Sequence, residues 1–508
     1  METNKKIWAL GELIPEIERL RKDGKTIVQS HGVFDLIHPG IIQHLNSART
    51  QGDILVVTVI KDKDVRRGPG RPVFPESMRA LNVASLTQVD YVCVVDDEKP
   101  FDAVQLLQPD IFAKGQAHKE RDQTIHQKIF EAEKELYLGQ SKIFETLGQS
   151  FSASKIINQF LDIYPEDTRR FIERFKTKYS FQDIVDNLNS LQPLKVMLLG
   201  DGIIDEYHYC EPLGKAGKAN LVVNKYLDHE VFAGGAFAIA NHLAGICDEV
   251  HLVCLLGESD SREDFVRQNL KPQISPKFFF RDDAPTIVKK RYVHSYLNQK
   301  LFEINFINDS AINGALEKNI TDHISAVIAD YDLVMVSDFG HGFINNKIYE
   351  TVKQSGKLLG INTQTNAANA GYNLITKYGG PDFVCLDEPE IRLAAQQKYK
   401  AIEGIAKQIR QEIDASFLIT TLGKKGSIGI DSNNEVNRTP IFSTKVIDTI
   451  GAGDAFFSFT APCFAKGMPL DFVSFIGNAV GALAVQIVGN KKPVEKHELL
   501  EFIHSLLS

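Results

Sequence analysis

The sequence is poor in everything that would tie it to a disulfide frame, a nucleic acid or a membrane. Its six cysteines (Cys93, Cys210, Cys247, Cys254, Cys385 and Cys463) are scattered over 508 residues with no C-x-x-C pair. That excludes a dense disulfide scaffold, supplies no zinc-ligand spacing, and fits reduced thiols in a cytoplasmic protein. Positive charge is not in excess: 57 Lys and Arg stand against 65 Asp and Glu, a net charge of −8. No global basic field therefore points to nucleic acid. No apolar run reaches the roughly 20 residues of a membrane-spanning helix. The first residues, Met1-Glu2-Thr3-Asn4-Lys5-Lys6, lead into a charged amphipathic segment rather than an apolar signal. The expectation is a cytoplasmic, soluble protein with no nucleic-acid or membrane partner. There is also no internal repeat and no low-complexity tract. What is present is length, too much for one core, so two to four domains are expected.

The stretch with the most chemistry is Asp448-Thr449-Ile450-Gly451-Ala452-Gly453-Asp454. Ser443 to Ile447 before it reads as a strand, and an apolar helix-length run follows it. Glycines at a helix start let backbone N–H groups approach an anion closely. The helix start adds unpaired N–H groups and positive dipole. Asp454 then stands in the first turn beside that anion. An anion cradle with an adjacent base is what phosphoryl transfer to a hydroxyl needs. A bare G-x-G-D is equally an ordinary turn, so its surroundings decide.

Residues 1–161 read as a first domain of short apolar strands alternating with helices, which indicates a parallel sheet with ligands at the strand ends. Strands are expected at Lys25–Ser30, Asp53–Ile60, Asp90–Val95 and Asp110–Gly115, and a helix over Ile41–Arg49. The first strand runs into His31-Gly32-Val33-Phe34-Asp35 and then His38-Pro39-Gly40-Ile41. Further on come Gly68-Pro69-Gly70-Arg71-Pro72-Val73-Phe74, Lys114-Gly115 and Ser152-Ala153-Ser154-Lys155. In this order, these stretches resemble the cytidylyltransferase-like nucleotidyltransferases. The resemblance implies attack of a phosphate oxygen on a nucleotide α-phosphorus. It assigns nucleotide contacts to Gly32, Phe34, His38, Gly40, Lys114, Ser152 and Ser154, with His38 also catalytic. The family's H-x-G-H tetrad ends here in Ile41, which removes one donor aimed at the phosphates; such a loss is worth roughly 10²–10³ in rate. Three readings stay open: an impaired domain, partial substitution by His31 or His44, or chemistry that tolerates the loss. At three positions along the helix from Ile41, His44 reads as an ordinary face residue.

Residues 162–193 read as a helical linker, with Phe171, Phe175 and Tyr179 on one apolar face. Residues 194–508 read as a second α/β domain. Its strand Lys195–Gly200 ends in Asp201, with Asp205 just beyond. An irregular stretch from Pro212 to Asn220 precedes a strand-like Leu221–Phe232. Gly234-Gly235 then opens a helix carrying Asn241. Later come Pro285-Thr286 with Lys289 and Arg291, Ser337-Asp338-Phe339-Gly340-His341, Asp387-Glu388-Pro389-Glu390 and Thr421-Leu422-Gly423-Lys424-Lys425-Gly426. Asn478 lies on a further helix.

This domain resembles the ribokinase-type (PfkB) carbohydrate kinases over nearly its whole length. The resemblance implies a ribokinase-like fold with a small β lid formed by Tyr207 to Phe232, often a dimer contact, so a homodimer is expected. Asp454 is implied as the catalytic base, with Gly451, Ala452 and Gly453 as the anion hole. Asp201, Asp205, Gly234, Gly235, Asn241, Lys289 and Arg291 are implied on the sugar side. Thr421, Gly423, Gly426 and Asn478 are implied on the ATP side, and Glu390 near Mg²⁺. One segment departs from the family, Gly360-Ile361-Asn362-Thr363-Gln364-Thr365-Asn366-Ala367-Ala368-Asn369, where an acidic stretch is usual. Its amides fit either a contact network to a different ligand or a structural ladder.

A kinase and a nucleotidyltransferase on one chain resemble the bifunctional heptose-phosphate kinase/adenylyltransferases of ADP-heptose synthesis, in reversed order. The function this implies is phosphorylation of a sugar or sugar phosphate by ATP, plus nucleotidyl transfer from ATP or CTP to a sugar phosphate. A sugar kinase with a degenerate first domain is one alternative. A non-catalytic sugar or nucleotide sensor is another, against which the intact Gly451–Asp454 motif argues.

Overall fold

A computed structural model describes residues 3–65, 71–96, 106–115, 142–146 and 164–508. The chain divides into two compact units, residues 1–165 with 180–182 and 501–508, and residues 166–179 with 183–500.

In the first unit, β1 (Ile27–Gly32), β2 (Ile54–Ile60), β3 (Tyr91–Val95), β4 (Ile111–Gly115) and β5 (Lys142–Thr146) form a sheet of order β3-β2-β1-β4-β5. Each described pairing is parallel, as alternation of strand and helix requires. The centre of β2 is fully buried, so its apolar run is continuous rather than alternating. Helix Pro39–Arg49 starts directly after His38 and turns Ile41, Leu45 and Ala48 into the core of this unit.

The second unit contains the helix Glu166–Lys178, which sequence places in a linker. Phe175 stacks on Phe475 with ring centres 3.9 Å apart, and Phe171 meets Phe442 at 6.0 Å. The apolar face therefore belongs to the second unit's core rather than to a bare connection.

The strands of this unit are, in chain order, β6 (Lys195–Gly200), β7 (Gly202–Lys215), β8 (Val222–Gly235), β9 (Glu249–Ser259), β10 (Ile274–Pro285) and β11 (Val288–His294). They continue with β12 (Lys300–Phe306), β13 (Leu333–Asp338), β14 (Leu358–Thr363), β15 (Phe383–Asp387), β16 (Phe417–Thr421), β17 (Ser427–Ile430) and β18 (Val436–Thr439). The main sheet has order β10-β9-β6-β13-β14-β15-β16-β17-β18, and a second sheet has order β12-β11-β7-β8. Strands β6, β13, β14 and β15 run parallel, so their carboxyl ends face one side, where open α/β sheets bind ligands.

Two local expectations are corrected. Strand β7 continues through Pro212 to Lys215, and only residues 216–221 form the connection to β8. Pro212 is tolerated because β11 has already ended opposite Cys210, so no third strand needs its missing N–H. Ser443 to Ile447, expected as a strand, is not one. Ile447 and Asp448 instead donate their N–H groups to the Val485 carbonyl at a helix end, and Val446 and Ile447 remain exposed. β-Branched residues without a partner strand make no ladder.

Candidate active site

Gly451 is the N-cap of the helix Ala452–Ala465, with Asp454 in its first turn. Gly451 has φ +80°. A Cβ there would also lie 2.1 Å from Oδ1 of Asn490, so only glycine fits. A Cβ on Gly453 would meet nothing within 4 Å, which leaves open space over the helix start. Of the cradle N–H groups, that of Ala452 makes a long contact to the Thr449 carbonyl at 3.3 Å, and the approach over Gly453 is unobstructed.

Asp454 is 6% exposed. Burial, then the charge of Asp205, push its carboxyl up to about 7, against the opposing effects of Gln364 and Lys289. A carboxyl poised near neutrality is suited to accept a hydroxyl proton. Its Oδ1 accepts a hydrogen bond from Gln364 Nε2 at 2.7 Å.

Several residues expected on the sugar side gather at Asp205. Asp205 on β7 pairs with the buried Arg291 guanidinium of β11, whose Nε also reaches Glu303 at 2.7 Å. Asn490 Nδ2 donates to the other Asp205 oxygen at 3.2 Å. Lys289 stands opposite Asp205 in the ladder. Gly234 is required there, because a Cβ would lie 2.1 Å from Asp205 Oδ2. Gly235, at φ +58°, turns the chain into the helix Ala236–Leu243.

Asp201 and Asn241, expected on the same side, both hold backbone groups. The Asp201 carboxylate is buried and accepts the N–H groups of Phe339 at 2.9 Å and His341 at 3.4 Å. It anchors the loop after β13, and burial raises its pKa. Asn241 donates to the Asn269 carbonyl at 2.8 Å and accepts from Lys271 N at 3.0 Å, so both ends of its amide hold backbone.

Of the residues expected on the nucleotide side, Thr421 ends β16, and Gly423 and Gly426 carry φ of +55° and +86° in the turn to β17. A Cβ on Gly423 would meet nothing within 4 Å, whereas one on Gly426 would strike the Thr439 carbonyl. Asn478 donates to Ser427 Oγ at 2.6 Å and to the Ser474 carbonyl at 2.7 Å, which fixes its helix against β17.

Glu390 forms a capping box with Asp387 at the start of the helix Glu388–Ala394. Its oxygens accept the N–H groups of Asp387 at 2.8 Å and Thr365 at 3.2 Å. Burial, then Asp387, raise its pKa. Among the described residues there is no cluster of three His, Cys, Asp or Glu able to hold a metal. Such a donor set fits an Mg²⁺ ion that keeps several of its waters, and Glu390 would be the residue that faces that water shell.

The amide-rich segment is a structural ladder that reaches Asp454. Asn366 and Asn369 both donate to the Phe339 carbonyl, at 3.0 and 2.7 Å. Asn373 bridges the carbonyls of Asp338 and Gln364 at 3.0 and 3.1 Å. Gln364 is the member whose side chain leaves the ladder for Asp454. Asn490 escaped sequence reasoning altogether, since Gly489-Asn490-Lys491 carries no pattern that marks it.

In the first unit, Gly32 closes β1 and Phe34 adopts φ +50°. Asp35 fixes the turn by accepting the N–H groups of Val73 and Phe74 at 2.7–2.9 Å. His38 is the N-cap residue of the helix that contains Gly40, and burial lowers its pKa. Lys114 lies on β4. Gly68–Gly70, Ser152 and Ser154 lie outside the described residues. His44 is held between Ser30 Oγ at 2.7 Å and Thr146 Oγ1 at 2.6 Å, and burial pushes its pKa down to about 4. It is a neutral tie between β1 and β5. His31 contacts Thr58 Oγ1 at 2.9 Å.

The pfkB family carbohydrate kinase model matches residues 194–497, more than half of the chain. The chain belongs to the pfkB family of carbohydrate kinases. A cytidylyltransferase-like model matches residues 30–157. The chain is 35% identical over 168 residues to a bifunctional protein HldE of Syntrophotalea carbinolica, covering 33% of each chain. It is 25% identical over 301 residues to the HldE of Nitratiruptor, covering 58% of this chain and 62% of that one. The chain thus spans less than two thirds of these relatives. Among solved structures, phosphofructokinase-2 of Escherichia coli with fructose-6-phosphate aligns at 13% identity and a TM-score of 0.49, covering 62% of this chain and 99% of that one. A ribokinase of Thermotoga maritima aligns at 19% and 0.46, covering 61% and 99%.

Proposed function

We propose that this chain is a bifunctional enzyme of nucleotide-sugar supply. Its pfkB unit phosphorylates a hydroxyl of a heptose-phosphate-like sugar with ATP, and its cytidylyltransferase-like unit, taken as residues 1–161, transfers a nucleotidyl group from ATP or CTP to a sugar phosphate. The carrying observation is Asp454, buried yet poised near neutrality, in the first turn of a helix whose start is open over Gly453. Membership of the pfkB family supports the first activity, and the matches to HldE proteins support the pairing.

In the kinase step Asp205, oriented by Arg291 and Asn490, accepts hydrogen bonds from the sugar. Asp454 takes the proton of the attacking hydroxyl. That oxygen bonds the γ-phosphorus as the bond to the departing ADP oxygen breaks. The N–H groups of Gly451, Ala452 and Gly453 stabilise the charge on the transferring group. Thr421, Gly423 and Gly426 border the ATP side, with Asn478 behind them. Mg²⁺ supplies neutralisation of the phosphates. In the nucleotidyl step, His38 and the start of its helix hold the triphosphate, assisted by Lys114, Ser152 and Ser154. Pyrophosphate leaves as the sugar phosphate oxygen bonds the α-phosphorus.

A second reading, a sugar kinase with an impaired nucleotidyltransferase unit, is favoured by Ile41 packing into the core and by His44 being tied to Ser30 and Thr146. A homodimer through the four-stranded sheet is also proposed, because Phe302, Ile304 and Phe306 of β12 and Val222, Tyr226 and Leu227 of β8 are exposed on it. A cytoplasmic location suits six free, buried cysteines and ATP-dependent chemistry.

The test is ADP release with ATP, Mg²⁺ and a panel of heptose and hexose phosphates, with wild type and Asp454→Asn. Turnover lost in the variant while sugar binding survives is expected; no turnover with any sugar would sink the kinase reading. Pyrophosphate release with ATP or CTP and sugar 1-phosphates separates the two readings of the first unit.

A further inference from the structure

We propose that Gln364 is a positioning residue for the phosphoryl-transfer base: its amide N–H holds Oδ1 of Asp454 and leaves Oδ2 to receive the proton of the substrate hydroxyl. This rests on the kinase reading above and deepens it.

The geometry is specific. Gln364 follows β14, and its Nε2 lies 2.7 Å from Asp454 Oδ1. Its backbone is held on both sides. The Gln364 N–H donates to the Asp338 carbonyl at 2.8 Å, and its carbonyl accepts Asn373 Nδ2 at 3.1 Å. Asn373 is itself held by Lys377 Nζ at 2.5 Å. The donor is thus delivered from a fixed point, which reduces the entropy of ordering a long side chain. Asp454 is buried whereas Gln364 is half-buried, so the amide borders the approach to the base.

An amide suits this place. It is always a donor and has no charge to lose as pH changes, whereas a carboxylate would repel Asp454. The charged and titratable groups around Asp454 are Asp205 with its partner Arg291, Lys289, and Glu390, Asp387 and Cys385 from the β15 side. Burial and Asp205 disfavour the ionised base, while Gln364 and Lys289 favour it. Gln364 therefore acts on protonation state as well as on direction.

Two variants and two measurements test this. Gln364→Leu removes the donor at similar size, and Gln364→Glu keeps the shape while adding a like charge. The acidic limb of kcat/KM for ATP-dependent sugar phosphorylation should move up by about one pH unit in Gln364→Leu, a tenfold loss below the limb that is regained at high pH. It should move further in Gln364→Glu. KM for ATP should hold. A rate reduced equally at every pH, with the limb unmoved, would show a merely structural role and overturn the proposal. The second measurement needs no turnover: titration of ¹³C-labelled aspartate carboxyls by NMR, with Asp454→Asn assigning the signal. An Asp454 titration that is the same in wild type and in either folded variant also overturns it. Wild type without turnover would strike the kinase reading alone, since the titration still decides whether Gln364 governs Asp454.

Discussion

The Tyr207 hydroxyl donates to Asp448 Oδ2 at 2.8 Å, joining the four-stranded sheet to the turn that carries the anion cradle. Lys300 of β12 reaches Asp448 Oδ1 at 2.6 Å. The same carboxylate accepts the N–H groups of Ile450 at 3.1 Å and Gly489 at 3.0 Å. Burial opposes its ionisation, yet Lys300, the Ile450 N–H and Tyr207 together hold its pKa below the usual carboxylate range. One charge thus fixes the sheet over the site and the cradle beneath it. Tyr207→Phe and Lys300→Met should each lower the rate of sugar phosphorylation and raise the fraction of ATP hydrolysed without phosphorylated sugar, because closure excludes water. Their effects should be less than additive in the double variant, since both act through Asp448. ADP and sugar-phosphate yields measured side by side check this.

Asp454 makes the second unit's stability depend on pH. Its carboxyl is pushed up to about 7 by burial and then by Asp205. A group with a raised folded pKa contributes stability that is complete below its unfolded value, about 4, and that is lost as pH rises through the folded value. Asp454→Asn removes the buried charge and keeps an acceptor for Gln364. The variant should therefore melt several degrees above wild type at pH 8 and alike near pH 4. A melting difference independent of pH would show that Asp454 is not the group responsible.

What the sequence disclosed follows from distance along the chain. Runs such as Lys195–Gly200 and Leu333–Asp338 are buried strands because neighbouring residues share one environment, so their pattern is local. Gly451-Ala452-Gly453-Asp454 is local too, and so is the diglycine turn. The contacts that tune the site are not. Gln364 and Asp454 are 90 residues apart, and Asn490 and Asp205 are 285 apart. Neither amide sits in a pattern that names its partner. Asp201 and Asn241 stand in motif positions, but the backbone groups they hold, at Phe339 and His341 and at Asn269 and Lys271, lie far along the chain and are not marked by the motif.

Ile41 offers a test of the first unit. It lies one turn before Leu45 on the core face of its helix, packed against that unit's apolar cluster. A histidine there must place an imidazole among apolar side chains or draw it out to solvent. Ile41→His should lower the melting temperature of the first unit, by on the order of 1–3 kcal/mol of stability, and leave pyrophosphate release unimproved. Thermal unfolding with a pyrophosphate assay reads both. A tenfold gain in release would show instead that the position faces the phosphates.

Gly451 and Asn490 can be separated by a double-mutant cycle. Gly451→Ala introduces two faults. The new Cβ would sit 2.1 Å from Asn490 Oδ1. The residue must also hold φ at +80°, which costs an alanine roughly 1–2 kcal/mol. Gly451→Ala alone should abolish phosphorylation, because the cradle N–H groups move when the turn gives way. Asn490→Ala removes the obstructing amide but also one support of Asp205, so alone it should weaken sugar binding more than ATP binding. In the double variant the steric fault is gone and only the backbone penalty and the lost support remain. The coupling between the two sites should therefore be favourable, with Asn490→Ala restoring part of the melting temperature lost in Gly451→Ala. Simple additivity would mean that the contact between this glycine and Asn490 is not what confines the position to glycine.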